Sequence, residues 1–151
     1  MVEVLQKYDK ELFEPLLALL AKKKLPVHKG RCNRRGFPEG QRSAALGVVR
    51  GRFNGVVGLS YFSKRNPLLY NEIMRIGKII SPFPFRTIHL NSNITCPKHK
   101  DSKNTGKSLL ISFGDYTGGN IMVEGTMYDA KYTPVIFNGS ELEHWNTDDL
   151  V

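Results

Sequence analysis

Long apolar runs are missing from this chain of 151 residues. The longest, Leu16 to Ala21, falls far short of the ~20 residues that a membrane-spanning helix needs, so no membrane partner is expected. The opening Met1-Val2-Glu3-Val4 lacks the basic stretch and apolar core of a secretory signal. An intracellular protein, nuclear or cytoplasmic, is expected rather than a secreted one. Cysteine is scarce: there are 2, Cys32 and Cys96, with no framework spacing. Two thiols are therefore expected in preference to a disulfide. Ser43, Ser60 and Ser140 have no His/Asp partners at a hydrolase spacing, and there is no nucleophile elbow. A phosphate-binding P-loop and a dinucleotide fingerprint are likewise absent.

Acid is in short supply too, with 14 Asp+Glu against 22 Lys+Arg and a net charge of +8. The excess is uneven. Lys22, Lys23, Lys24, Lys29, Arg31, Arg34, Arg35, Arg42, Arg50 and Arg52 are opposed in their segment by Glu39 alone, whereas Glu141 to Val151 contains no Lys or Arg. Such a basic block attracts polyanions, nucleic acid first among them, although a merely solvated face accounts for it equally well. The length is that of one domain with a real core. A single domain over 1–151 is expected, with a helical and basic support region at 1–80 and a β core at 85–151.

Apolar residues at three- and four-residue steps predict a helix from Val4 to Lys23, kinked or broken at Pro15. Ala44 to Phe62, interrupted by glycines, reads as short strands with bends. Asn66-Pro67 reads as a cap and first turn, followed by a helical stripe of Leu68, Leu69, Glu72, Ile73, Ile76 and Ile80 up to about Ile79. Phe85 to Thr95 alternates, with Ile88, Leu90, Ser92 and Ile94 on one side and Thr87, His89, Asn91 and Asn93 on the other. Lys107–Phe113, Asn120–Glu124 and Pro134–Phe137 read as further strands. Helices early and strands late suggest an α+β, mainly β fold, a helix-supported sandwich or jelly roll.

The pattern that carries chemistry is His99-Lys100-Asp101 with His144 downstream. In an extended segment residues i and i+2 point the same way, so the imidazole and carboxylate can grip one metal ion. A second imidazole from a later strand completes two His and one carboxylate, a set that suits non-haem Fe(II) and leaves coordination positions open. A surface His99 and a surface His144 beside Trp145 is the plainer alternative. Zinc is another: Cys96, His99, Cys32 and His28 make an arithmetically possible four-ligand set. His89 is expected to be a satisfied core residue rather than a cavity lining. Tyr116 and Tyr128 are expected to pack rather than to stack on a substrate base.

The run Asn91 to Asp101, then Asn104, Gly106, Ser108-Leu109-Leu110-Ile111, the turn Gly114-Asp115-Tyr116-Thr117-Gly118-Gly119, and His144 resemble the 2-oxoglutarate/Fe(II)-dependent dioxygenase superfamily. They are most similar to its TET/JBP-like branch, including viral and transposon-linked members. The resemblance covers about Phe85 to His144. It implies a double-stranded β-helix (the cupin-type jelly roll), here without its last strand. It implies Fe(II) held by His99, Asp101 and His144, with 2-oxoglutarate as co-substrate and Asn93 against its carboxylate. The family's basic residue on the strand after the second His has no counterpart in the seven residues that follow His144. Arg86, then Lys107, are the substitutes. A shortened chain, another small-acid co-substrate and an inactive relic are the competing explanations. The implied substrate is a nucleic-acid base, with DNA favoured and Lys29, Arg31, Arg34 and Arg35 holding phosphates. The alternatives are hydroxylation of a protein side chain such as proline in an acidic peptide, and a catalytically silent nucleic-acid-binding module. Oligomeric state is left open by the sequence.

Overall fold

The structure is a computed structural model and describes residues 1–27, 42–50, 55–92, 96, 98–101, 106–116 and 120–146. Its residues fall into two compact units. One contains the described residues of 1–12 and 96–146; the other contains those of 13–27 and 42–92. The chain is mixed α/β. Among the described residues are three small antiparallel sheets, each of three strands, and few helices. No described helix is long and apolar enough to cross a membrane.

The first helix is shorter than its periodicity predicts. Val4 belongs to a strand, β1 (Glu3–Val4), and a 3-10 turn at Lys10–Phe13 leads into α1 (Glu14–Lys22). Pro15 sits in the first turn of α1. A proline there loses no helical hydrogen bond, so it starts the helix instead of kinking it. β2 (Arg42–Arg50) pairs with β3 (Val57–Leu59) on one side and β4 (Thr87–Ser92) on the other. The expected strand to Phe62 is cut short by α2 (Tyr61–Arg65), because the Ser60 hydroxyl accepts from the Ser63 N–H and caps a helix there.

α3 (Pro67–Ile80) starts where Asn66-Pro67 predicts and buries Leu69, Ile73, Ile76 and Ile80. Leu68 and Ile79 remain exposed. Asn66 does not cap α3 through its side chain; its amide donates back to the Phe62 carbonyl of α2. On β4, Ile88 and Leu90 are covered while His89 and Asn91 are exposed. The expected alternation holds from Ile88 to Asn91 only, since Thr87 is half-buried like Ile88 and Ser92 is exposed, and His89 is not a core residue.

The C-terminal unit holds the other two sheets. β8 (Val135–Phe137) lies between β1 and β5 (Ser108–Leu110). β6 (Ile121–Val123) lies between β7 (Thr126–Tyr128) and β9 (His144–Asn146). Ile121, Val123, Ala130, Val135 and Phe137 form one buried cluster, with Val2, Leu110, Tyr128 and Leu142 packed against it. β7 has no counterpart in the sequence reading. Glu124 and Gly125 both have positive φ, 49° and 84°, which is the two-residue turn that suits the right-handed twist of a hairpin.

Candidate metal centre

His144 stands on a strand, as expected of the second imidazole: it is the first residue of β9 and pairs with Val123 of β6. That register turns its ring inward, where it is buried against the edge of Phe137, 5.0 Å between ring centroids. The 98–101 segment runs antiparallel alongside. His99 N–H donates to the His144 carbonyl at 3.1 Å, and His144 N–H donates to the His99 carbonyl at 3.0 Å. This narrow pair sets the two imidazoles 4.3 Å apart between centroids.

Asp101 completes the group. Its backbone N–H donates to the Gly139 carbonyl at 2.8 Å. Its two oxygens divide between the rings: Oδ1 lies 3.4 Å from His99 Nε2, and Oδ2 lies 3.0 Å from His144 Nε2. One ligand atom from each residue lies within 4.8 Å of the others. Among the described residues no other His, Cys, Asp or Glu group gathers in this way.

The chemistry of the donor set fits a cation. Leu142 offers a carbonyl oxygen 2.9 Å from His144 Nδ1. A carbonyl only accepts, so Nδ1 carries the proton. In the neutral ring Nε2 therefore presents a lone pair, and it faces a carboxylate oxygen. Two lone pairs at that distance repel unless a proton or a metal ion sits between them. Two donors each ~2.1 Å from a metal and at right angles stand about 3.0 Å apart. The contact of Asp101 Oδ2 with His144 Nε2, 3.0 Å, matches that spacing; that of Oδ1 with His99 Nε2, 3.4 Å, is longer. Two imidazoles and one carboxylate on one side of an ion are the set associated with non-haem Fe(II). The Nδ1–H bond to Leu142 is the outer-shell contact that usually fixes the tautomer of a ligating histidine.

Gly139 is a site residue that the sequence reading missed. A Cβ built on it would stand 3.0 Å from Asp101 Oδ2 and 3.2 Å from His144 Cε1. The dipeptide Asn138-Gly139 signals a turn, but nothing in it tells which side chains the glycine faces.

Of the other expected site residues, Asn93, Lys29, Arg31, Arg34 and Arg35 lie outside the described residues. Neither substitute for the family's basic residue lies within a strand. Arg86 precedes β4 and belongs to the other unit, where its carbonyl accepts from Val48 N–H; Lys107 is exposed just before β5. The four-ligand zinc set is overturned, since Cys96 is disulfide-bonded and offers no thiolate. The expectation of free thiols is corrected with it; Cys32 is outside the described residues. Two of the basic residues are occupied by the fold: Arg42 donates to the Leu25 carbonyl and Arg50 to the Gly55 carbonyl. Tyr116 lies under the Lys131 ammonium, 4.7 Å from its ring centroid, and burial raises its hydroxyl pKa above the ordinary phenol value. Tyr128 packs on the buried cluster.

On the outer face of β9, Trp145 is covered by the Lys98 ammonium at 4.7 Å. Cys96 N–H donates to Asn146 Oδ1 at 2.5 Å, so the two segments that carry the histidines are joined beyond the His99–His144 pair as well. Set against protein-family models, curated proteins and solved structures, the chain matches none.

Proposed function

We propose that this chain is an Fe(II)- and 2-oxoglutarate-dependent dioxygenase of the TET/JBP-like kind, built on a double-stranded β-helix and acting on a nucleic-acid base. The observation that carries the reading is the convergence of His99, Asp101 and His144, with the lone pair of a tautomer-fixed His144 aimed at a carboxylate. The sequence pattern around those three residues and the net charge of +8 support it.

In this reading His99, Asp101 and His144 hold the iron, which together with a 2-oxo acid and O₂ supplies the oxidising chemistry. The protein's own residues orient and protect. Leu142 keeps the His144 proton on Nδ1 and so leaves Nε2 free to ligate. Phe137 shields that ring from water. Lys107, in the same unit, is the basic side chain offered to the co-substrate's far carboxylate. A base paired in a duplex must leave the stack to be reached, and basic side chains steady the flanking phosphates.

Anaerobic addition of Fe(II) and 2-oxoglutarate tests the centre: a weak visible charge-transfer band is expected in the wild-type chain and not in Asp101→Ala. Incubation in air with an oligonucleotide containing a methylated pyrimidine is expected to add oxygen to the base. Absence of both band and bound iron overturns the enzyme. A band with oxygen added only to an acidic proline-containing peptide overturns the nucleic-acid substrate. Binding to duplex DNA is expected to weaken steeply as salt rises.

A further inference from the structure

The 138–142 segment lies between β8 and β9. In space it touches two of the three candidate donors at once. The Gly139 carbonyl accepts the Asp101 N–H at 2.8 Å, and the Leu142 carbonyl accepts the His144 Nδ1–H at 2.9 Å. The turn is itself tied down. The Asn138 carbonyl accepts from Glu141 N–H and Leu142 N–H, at 3.2 and 2.9 Å. Asn138 Oδ1 accepts from the Ser140 N–H at 3.1 Å and the Ser140 hydroxyl at 2.6 Å. An Asn side chain bonded to the backbone two residues on is a turn-fixing device.

Gly139 is not required by its own backbone, since its φ lies outside the left-handed region. Space requires it. A methyl there would meet Asp101 Oδ2 at 3.0 Å and His144 Cε1 at 3.2 Å, with His144 Nε2 at 3.7 Å. The third is ordinary contact, but the first two are tighter than nine in ten real contacts of such a carbon, so a neighbour must yield by a few tenths of an ångström. Both neighbours are members of the donor set, and the relief therefore falls on the metal geometry.

We infer that the Asn138–Leu142 turn is the positioning element of the metal centre, and that Gly139 is the position at which the centre tolerates no side chain. One rigid turn fixes the backbone of Asp101 and the tautomer of His144 together. The spacing between carboxylate and ring is thereby set before any ion arrives. The inference rests on the metal reading above. Outer-shell partners of this kind usually change metal affinity about 10–100-fold.

The test is a Co(II) titration of the full chain, followed by the visible absorption of the bound ion, alongside circular dichroism and melting of the metal-free protein. Wild type is expected to bind. Gly139→Ala is expected to bind roughly 10–100-fold more weakly with an altered cobalt spectrum, while its metal-free dichroism is unchanged. Gly58→Ala, where an added Cβ meets nothing within 4 Å, is expected to bind as wild type does. Asn138→Ala is expected to weaken binding, and Asn138→Asp, which keeps the acceptor oxygen, to restore it. If wild type takes up no Co(II), the metal reading falls and the inference falls with it. If wild type binds and Gly139→Ala binds within about twofold of it, the inference alone is overturned. Should Gly139→Ala not fold, the two Asn138 variants decide. Equal binding by Asn138→Ala and wild type overturns the turn's role.

Discussion

Replacing Asp101 by Asn separates the two things its carboxylate does, and the structure gives each an expected size. In the metal-free chain with a neutral His144 ring whose proton is on Nδ1, Nε2 and Asp101 Oδ2 are two acceptors 3.0 Å apart. An Asn amide in the same place can turn its N–H toward Nε2. The repulsion becomes a hydrogen bond worth about 1 kcal/mol. For a chain of this length that raises the melting temperature by roughly 2–4 °C. The metal response moves the other way. An ion present at about a hundredfold over its Kd stabilises the native state by ~2.7 kcal/mol, a shift of roughly 5–11 °C. Mn(II), which resists oxidation in air, serves as the probe near neutral pH. Wild type is expected to show that shift. Asp101→Asn is expected to lose nearly all of it, because the charged ligand is gone and the new N–H occupies the His144 lone pair. Thermal melts read both arms. A variant that keeps the full Mn(II) shift refutes the assignment of Asp101 as a ligand. A metal-free variant that melts several degrees lower refutes the account of the facing lone pairs.

The remaining predictions concern one position in each of the two units. Gly47 has φ of 102°, and a Cβ there would lie 2.1 Å from the Arg86 carbonyl oxygen, a backbone atom that also holds Val48 N–H. Gly47→Ala is expected to cost about 3 kcal/mol from backbone strain and overpacking together, seen as a melting point lower by roughly 6–12 °C; a loss below ~1 kcal/mol in denaturant titration contradicts that geometry. Tyr116 has its pKa raised, with burial as the largest cause. Below the unfolded phenol value, about 10, the neutral hydroxyl is bound equally by both states. Above it the unfolded chain ionises first, so stability falls as pH climbs toward the folded pKa. Tyr116→Phe is expected to flatten that alkaline loss, as followed by melting against pH with phenolate absorbance as the companion signal; an unchanged profile counts against burial of the hydroxyl.

The legible parts of the fold are the long or strongly patterned ones. α3 is announced by Asn66-Pro67 and by a stripe at helical spacing, and its large buried side chains Leu69, Ile73, Ile76 and Ile80 all come from that stripe. β4, β5, β6 and β8 all stand inside segments read as strands. The parts missed are short. β1 has two residues, and β7 and β9 have three each. β5, β6 and β8 have only three residues each as well but stand in apolar runs; β1, β7 and β9 mix polar residues into their few positions, leave no pattern to register, and exist because a partner strand pairs with them. α2 is missed for a related reason: Tyr61-Phe62 looks strand-like, and a single serine cap decides for helix.

The same division runs through the candidate site. The sequence by itself supplies the donor types and one spacing, since His99 and Asp101 two apart in an extended segment must share a side. His144 enters as a second imidazole expected from a later strand, and no local rule says where in space it meets a motif so far upstream. Tertiary structure alone brings it there, through the β6–β9 register and the reciprocal backbone bonds with His99. Tertiary structure alone also makes Gly139 and the Leu142 carbonyl part of the centre. A residue's chemistry is written in its side chain, whereas the aim of a backbone carbonyl and the room left by an absent Cβ are properties of what packs around them.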